Sequence, residues 1–346
     1  MIELLRELVE IESPTGDTAA IQARMQDELR SLGARVEARG DHLYAELAGE
    51  GPPLLLLGHV DTVWPRGTLE RLPFRIEDGR AYGPGSSDMK AGLVVMLEAV
   101  RRARTSRALR FVVNADEEIG SPGSRALLEE AATGAAAALV LEAPTASGHL
   151  KIARKGIGRF RLRVRGRAAH SSTPGDGISA IHELAHQIVR LYELGGDGVT
   201  VSVGVVSGGT RENVVAAEAE ATVDVRVPSL ADRDRLDAAL HDLRPVLAGA
   251  ELELTGRWTR PPLEATEATQ RLFEAAREHG RALGLALEAR SSAGGSDGNL
   301  VGHLVPVLDG LGPQGAGAHA DGEHVVIASL EPRAELLARI LRDPGI

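Results

Sequence analysis

Residues 52–63 read PPLLLLGHVDTV, in which four consecutive leucines lead directly into a glycine and two polar side chains, His59 and Asp61. A short, uninterrupted apolar run predicts a strand that is covered on both faces, as in a parallel sheet between two layers of helices. Ligands of such sheets bind beyond the carboxyl ends of the strands. His59 and Asp61 are therefore the first candidate site residues.

The flanking sequence alternates between helical and strand periodicity. Helices are predicted at residues 2–11, 18–33, 92–104 and 124–132, and further strands at 108–118 and 135–143. This alternation is typical of an α/β domain with a mainly parallel sheet.

From about residue 155 the pattern changes, and GRFRLRVRGRAAH alternates polar and apolar residues as a strand with one solvated face does. Two helices and three further strands follow, which predicts an inserted α+β domain with two helices on an antiparallel sheet. The expected organisation is a first part of the catalytic domain at 1–154, an inserted domain at 155–259, and a second part of the catalytic domain at 260–346.

The composition excludes several functional classes. The 346 residues carry a formal charge of -10, so we expect no nucleic-acid partner. No cysteine is present, which leaves histidine and carboxylates as metal ligands. The first residues predict an amphipathic helix and not a signal peptide, and no apolar run approaches the roughly 20 residues of a membrane span. We therefore expect a cytoplasmic protein with no membrane partner.

Two motifs before residue 100 offer metal ligands. His59 and Asp61 are two apart on an extended chain, so Asp61 is expected to orient the imidazole of His59. Asp88 follows a tight glycine-rich turn in AYGPGSSDMKAGL, immediately before a predicted helix. The ordinary alternatives are a histidine without a partner and an aspartate that caps the helix. An exposed, rigidly held carboxylate at that place could instead bridge two cations.

Three further motifs complete the set. Glu117 and Glu118 end the strand in FVVNADEEIGSPGS, and adjacent side chains diverge, so one could bind a metal while the other reaches its water. Glu142 ends the strand in AALVLEAPT, and His319 lies in the glycine-rich GPQGAGAHADGEHV. Each motif alone is weak, but jointly they form an oxygen and nitrogen ligand set that suits paired zinc ions, with cobalt or manganese as alternatives.

These motifs, together with GGSDGN at residues 294–299, resemble the dinuclear-zinc family of glutamate carboxypeptidase, acetylornithine deacetylase and succinyl-diaminopimelate desuccinylase. The resemblance runs along nearly the whole chain in the same order and is greatest to bacterial glutamate carboxypeptidase. It implies a zinc-peptidase-like catalytic domain with an inserted dimerisation or lid domain, in a homodimeric hydrolase. The implied substrate is an N-acyl amino acid or a peptide, from which a C-terminal, glutamate-like residue is released. The alternative is a biosynthetic N-acyl amino acid deacylase.

The resemblance also implies roles for the individual residues. Two zinc ions per subunit would be bound, one by His59 and Glu142 and the other by Glu118 and His319. Asp88 would bridge the two ions, Asp61 would orient His59, and Glu117 would be the general base.

In the inserted domain, the resemblance implies that His170 reaches across a dimer to stabilise the oxyanion. Asn213 and Arg260 would bind the substrate, with Arg260 on its α-carboxylate. Without the resemblance, an exposed strand-end histidine and a surface arginine are the simpler interpretations. His149 stands where some glutamate carboxypeptidases have a lysine, which leaves the side-chain selectivity open.

IHELAH, residues 181–186, matches the two-histidine signature of zinc protease helices. The apolar stripe of this helix is expected to run through Ile181 and Leu184, with His182 and His186 on its flank and Glu183 pointing away. We therefore expect solvated or dimer-facing histidines and no catalytic metal at this motif.

Overall fold

The computed structural model describes residues 1–346, which divide into two compact units. The first comprises Met1–Ala153, Glu264–Ser292 and Ser296–Ile346, and the second comprises Arg154–Leu263 and Ala293–Gly295. The first unit contains a mixed, mainly parallel sheet and the second an antiparallel sheet, so the predicted fold class is confirmed.

Sixteen strands form the sheets of the two units. They are β1 (Arg35–Arg39), β2 (His42–Leu47), β3 (Glu50–His59), β4 (Arg75–Glu77), β5 (Arg80–Tyr82), β6 (Arg107–Asn114), β7 (Ala137–Val140), β8 (Leu150–Arg154), β9 (Gly156–Arg165), β10 (Thr200–Gly208), β11 (Glu218–Val227), β12 (Glu251–Arg260), β13 (Ala289–Ser292), β14 (Val307–Leu308), β15 (Gly315–Ala316) and β16 (His324–Val326).

Ten α-helices accompany the strands. They are α1 (Ile2–Glu10), α2 (Ala19–Ser31), α3 (Thr68–Arg71), α4 (Ala91–Ala103), α5 (Arg125–Ala132), α6 (Ala180–Glu193), α7 (Leu230–His241), α8 (Glu267–Arg281), α9 (Gly298–Val301) and α10 (Leu330–Arg342). None of them combines the length and the apolar character that crossing a bilayer requires. The cytoplasmic location stays a prediction.

The main sheet of the first unit has the order β1-β2-β6-β3-β7-β14. Strands β6, β3, β7 and β14 are parallel, whereas β1 and β2 are antiparallel to their neighbours. The β1–β2 hairpin is absent from the sequence prediction. It turns at Gly40, whose positive φ of 62° suits the two-residue connection between Arg39 and His42.

Strand β3 lies at the centre of this unit's core. Its four leucines, residues 54–57, are fully buried, as expected for a strand with both faces covered. Helix α4 is buried along almost its whole length, and the apolar face of α10 belongs to the same core. The carboxyl end of β3 is thereby held rigidly, and His59 is its last residue.

The second unit has a four-stranded antiparallel sheet with the order β10-β11-β9-β12 and a separate apolar core. Helix α6 contributes Ala180, Leu184 and Leu191 to that core, and α7 contributes Leu236 and Leu240. Because β10 and β12 are the outer strands, each has one edge without a neighbour in the sheet.

Glu183 of α6 is buried, so the expectation that it points away from the packed face is wrong. Its carboxylate accepts hydrogen bonds from the backbone N–H groups of Val246 and Leu247, at 3.0 and 2.6 Å, and from Nε2 of Gln187 at 2.6 Å. The glutamate of IHELAH therefore anchors the loop that follows α7. His182 is exposed, as expected for a solvated histidine.

Because the face of α6 with Glu183 is buried, part of the predicted apolar stripe of this helix is exposed to solvent. Ile181, Val189 and Tyr192 are each about half exposed, and Val205 and Val206 of β10 are exposed to a similar degree. We call these five residues the α6–β10 apolar strip. Exposed apolar side chains on neighbouring elements of one unit are typical of an interface.

Glu183→Gln should lower the free energy of unfolding by about 1–3 kcal/mol, because an amide nitrogen would then face backbone N–H donors that lack other partners. Urea titration followed by circular dichroism measures the change. Glu193→Gln, at the exposed end of the same helix, is the matched control. Equal stabilities of the two variants would contradict the anchoring role of Glu183.

Candidate active site

The candidate residues of the first unit lie at ends of its strands and in adjoining loops. His59 ends β3, Glu117 follows β6, and Glu142 follows β7. Asp88 lies in a five-residue turn, residues 86–90, that precedes α4, and His319 lies in the loop between β15 and β16. The helix predicted at residues 92–104 begins at Ala91, and Asp88 makes no side-chain cap to it.

The carboxylate of Asp88 lies between two histidines. Its Oδ1 is 3.3 Å from Nε2 of His59, and its Oδ2 is 3.2 Å from Nε2 of His319. Each histidine also faces a second carboxylate: Glu142 Oε1 is 3.6 Å from His59, and Glu118 Oε2 is 3.3 Å from His319. Asp88 is thus shared by two groups of ligand-type atoms.

Asp61 lies on the far side of the His59 ring. Nδ1 of His59 is 3.0 Å from the main-chain oxygen of Asp61 and 3.3 Å from its Oδ1. The carboxylate also accepts hydrogen bonds from Thr15 Oγ1 and from the backbone N–H groups of Glu117 and Glu118. Asp61 therefore fixes the His59 ring, with Nε2 toward Asp88, and binds the loop after β6.

The side chains of Glu117 and Glu118 diverge, as expected for adjacent residues, and each lies close to a different pair of possible metal ligands. Glu117 lies with His59 and Glu142, whereas Glu118 lies with His59 and Asp88. Within each group the ligand atoms all lie within 4.8 Å of one another. The two acids are therefore available for different tasks.

The spacing of these atoms fits cation binding. In a tetrahedral zinc site with bonds of about 2.0–2.2 Å, ligand atoms lie about 3.3–3.6 Å apart. The four histidine-to-carboxylate distances around Asp88 are 3.2–3.6 Å. Oε1 of Glu118 is buried and has no hydrogen-bond donor, which is costly for a carboxylate oxygen unless a cation faces it.

The charges of the cluster also favour a cation. Hydrogen bonding to Asp88 raises the pKa of His319 to about 9, with Glu118 adding to the effect. Burial, together with the negative charge of Asp88, raises the pKa of Glu118 to about 7. Burial of His59 opposes its protonation, but Asp61, Asp88 and Glu142 outweigh this and raise its pKa. The carboxylates thus favour positive charge at both imidazoles, whether from a proton or from a metal.

Two further buried groups beside the cluster escaped the sequence analysis. Lys90 donates a hydrogen bond from Nζ to the main-chain oxygen of Ile11 at 2.8 Å, and burial lowers its pKa to about 7. Glu323 is 3% exposed and accepts hydrogen bonds from the turn that carries Asp88. The only signal for Glu323 was an acid four residues after His319 in a glycine-rich loop.

Three predicted residues belong to the second unit. His170 and Asn213 are exposed and lie on adjoining segments, since Ser171 N donates to Asn213 O at 3.0 Å. Arg260 ends β12, is 4% exposed and packs over Gly295. The interpretation of Arg260 as a surface charge is therefore wrong.

The α/β fold with its cluster of histidines and carboxylates at strand ends is that of a metal-dependent hydrolase. The sequence model of Peptidase family M20/M25/M40 matches residues 55–343, and the chain belongs to this family.

Curated relatives and solved structures agree with this assignment. The chain is 30% identical to carboxypeptidase G2 of Pseudomonas sp. (strain RS-16), over 100% of this chain and 89% of that protein. It is 28% identical to succinyl-diaminopimelate desuccinylase of Halorhodospira halophila, over 99% and 97% of the two chains. A tripeptidase crystal structure from Staphylococcus aureus has a TM-score of 0.84 and 26% identity, over 99% and 97% of the chains. Peptidases and deacylases are thus similar to this chain along nearly its whole length.

Cation binding to the metal-free protein should release protons between about pH 7 and 9. With the pKa of His319 raised to about 9, its ring is protonated below that pH and must lose the proton before it can bind a metal. The affinity should therefore rise with pH in this range and level off above it.

Calorimetric zinc titrations in two buffers of different ionisation enthalpy measure the proton release. His319→Gln is the matched variant, and it should release fewer protons. Equal heats in the two buffers for the wild-type protein would contradict the expectation.

Proposed function

We propose that this protein hydrolyses an amide or peptide bond and releases a C-terminal, glutamate-like amino acid from N-acyl or peptidyl substrates. The observation that carries the proposal is the Asp88 carboxylate between two histidines, each with a further carboxylate of its own. Support for the substrate class comes from the 30% identity to carboxypeptidase G2 over the whole chain.

In this proposal, His59 and Glu142 would hold one zinc ion, Glu118 and His319 would hold the other, and the Asp88 carboxylate would be shared by both sites. Bound zinc ions would acidify a water molecule and polarise the substrate carbonyl. Cobalt or manganese would accept the same nitrogen and oxygen ligands. The ligand spacing and the unpartnered Glu118 oxygen support this set.

Glu117 is the proposed general base. Its carboxylate accepts the proton of the attacking water as the oxygen bonds to the carbonyl carbon, and it returns that proton to the leaving nitrogen as the C–N bond breaks. A carboxylate oxygen of Glu117 lies within 4.8 Å of ligand atoms of His59 and Glu142, which supports this assignment because a base must be close to the water that a cation there would hold. Asp61 fixes the His59 ring and the backbone of Glu117 together, through Nδ1 and through the Glu117 N–H.

The second unit contributes the proposed substrate contacts. Arg260 is buried at the end of β12, and a desolvated guanidinium suits the α-carboxylate of the released amino acid because the two groups pair in a bidentate manner. Asn213 and His170 are exposed on adjoining segments, which leaves their side chains accessible to a ligand. His170 stabilises the oxyanion of a neighbouring subunit in this proposal.

The α6–β10 apolar strip supports a homodimer formed through the second unit. Strand β10 is an outer strand of the sheet, so α6 and β10 offer a second copy exposed apolar side chains and an unpaired strand edge. A dimer is also what the proposed role of His170 requires.

A second candidate is an N-acyl amino acid deacylase. This function would use the same cluster around Asp88. It would differ from the first candidate only in the part of the substrate that residues of the second unit bind. The 28% identity to a desuccinylase, over nearly the full length of both chains, supports it.

Steady-state kinetics of the zinc-loaded protein on N-acyl-glutamates and on N-acyl-ornithine, -lysine and -diaminopimelate distinguish the two candidates. We expect higher kcat/KM on the glutamate series. Activity confined to the second series would select the deacylase, and no hydrolysis of either would overturn both.

Glu117→Gln is the matched control for this assay. It should bind zinc like the wild-type protein but lose about 10²- to 10⁴-fold in kcat, because only the proton transfer is removed. A variant with normal zinc content and normal kcat would exclude Glu117 as the base.

The wild-type protein should sediment as a dimer, and Val189→Glu should sediment as a monomer, because a charge would then lie within the α6–β10 apolar strip. Leu230→Glu is the control, since Leu230 is a similarly exposed apolar residue of the second unit outside the strip. Sedimentation velocity over a concentration series makes the comparison. A wild-type monomer at every concentration would overturn the homodimer.

A further inference from the structure

Glu323 is a buried acid with no part in the proposed chemistry. It lies four residues after His319 and immediately before β16, and it is 3% exposed. Both of its carboxylate oxygens are occupied by hydrogen bonds from neutral N–H groups. Oε1 accepts from the backbone N–H groups of Ser87 and Asp88, at 2.9 and 3.0 Å. Oε2 accepts from the backbone N–H of Gly85 and from Nε1 of Trp64, at 2.9 and 2.8 Å.

These bonds determine how the turn with Asp88 is held. Three backbone N–H groups within four residues converge on one carboxylate, and the turn has no side-chain cap of its own. A buried anion with four donors is a strong acceptor, because each hydrogen bond is charge-assisted. The backbone of this turn is therefore hydrogen-bonded to the Glu323 carboxylate.

The same carboxylate belongs to the loop of His319. Close packing of the two segments supports the coupling, since a Cβ on Gly315 would lie 2.3 Å from Ser87 Oγ and 2.6 Å from His324 O. Strand β16, which follows Glu323 directly, also pairs with β5, which precedes the turn. These contacts connect the turn with Asp88 to the loop with His319, and Oδ2 of Asp88 lies 3.2 Å from Nε2 of His319.

We propose that Glu323 is a positioning residue that joins the Asp88 turn to the His319 loop and thereby sets the affinity of the cation site. The inference rests on the proposed function, because it assumes that Asp88 and His319 bind a cation. Groups that orient metal ligands in this way typically contribute about 10- to 100-fold to metal affinity.

Hydrogen exchange of the metal-free protein tests the coupling without reference to activity. Glu323→Gln keeps the size of the side chain but directs an amide nitrogen at N–H donors. Exchange of the amides in residues 83–90 should accelerate by about tenfold or more, while distant segments stay unchanged. Asp321→Asn, an exposed acid two residues away that pairs with Arg71, is the matched control and should exchange like the wild type.

Metal affinity is the second readout. Competition with a chromophoric chelator should show zinc binding weakened by about 10- to 100-fold in Glu323→Gln and unchanged in Asp321→Asn. The visible absorption of the cobalt-loaded variant should also differ from the wild type, because the geometry around Asp88 has relaxed.

The outcomes separate the two hypotheses. Wild-type affinity that is insensitive to His319→Ala would overturn the proposed function. Affinity that depends on His319, together with unaltered exchange and affinity in Glu323→Gln, would overturn only the role of Glu323.

Glu323→Asp keeps the charge, withdraws the oxygens by one methylene, and serves as the second variant if Glu323→Gln fails to fold. It should weaken zinc binding as the glutamine variant does. Wild-type behaviour of Glu323→Asp would mean that charge alone matters, which would overturn the positioning role.

Discussion

The carboxylate of Asp88 faces the imidazoles of His59 and His319 at the same time, and this arrangement requires that three separate segments of the first unit be held together. His59 is fixed by the end of a fully buried strand and by Asp61 behind its ring. Asp88 lies in a turn without a side-chain cap, and three backbone N–H groups of that segment donate to Glu323. The cluster thus combines one histidine at the end of a buried strand with two residues, Asp88 and His319, whose loops contact each other through Glu323.

The residues of this cluster were predictable from the sequence because most of them follow directly after apolar strands. The carboxyl ends of parallel strands meet at one edge of a sheet, so His59, Glu117 and Glu142 could be grouped before any coordinates were known. His319 lies outside such a strand; its glycine-rich loop made it a candidate ligand, and only the resemblance to a family paired it with Glu118. The helices and strands of the second unit followed from periodicity alone, whereas the β1–β2 hairpin was overlooked.

The contacts that hold the cluster together were not predictable in the same way. Glu323 and the Asp88 turn are more than 230 residues apart, and nothing local distinguishes Glu323 from a surface acid. Glu183 was misjudged for a related reason. Helix α6 divides its apolar residues between the core and the exposed strip, so the direction of its apolar stripe did not indicate which face is buried.

The first unit is discontinuous, and this has a consequence for biosynthesis. His59, Asp88 and Glu142 precede the second unit in the chain, while His319 and Glu323 follow it. Domains generally fold as they emerge from the ribosome, N-terminal segments first. During translation, the acidic residues of the cluster are therefore synthesised before the loop that contains His319 and Glu323. Truncated products that end before this loop lack His319.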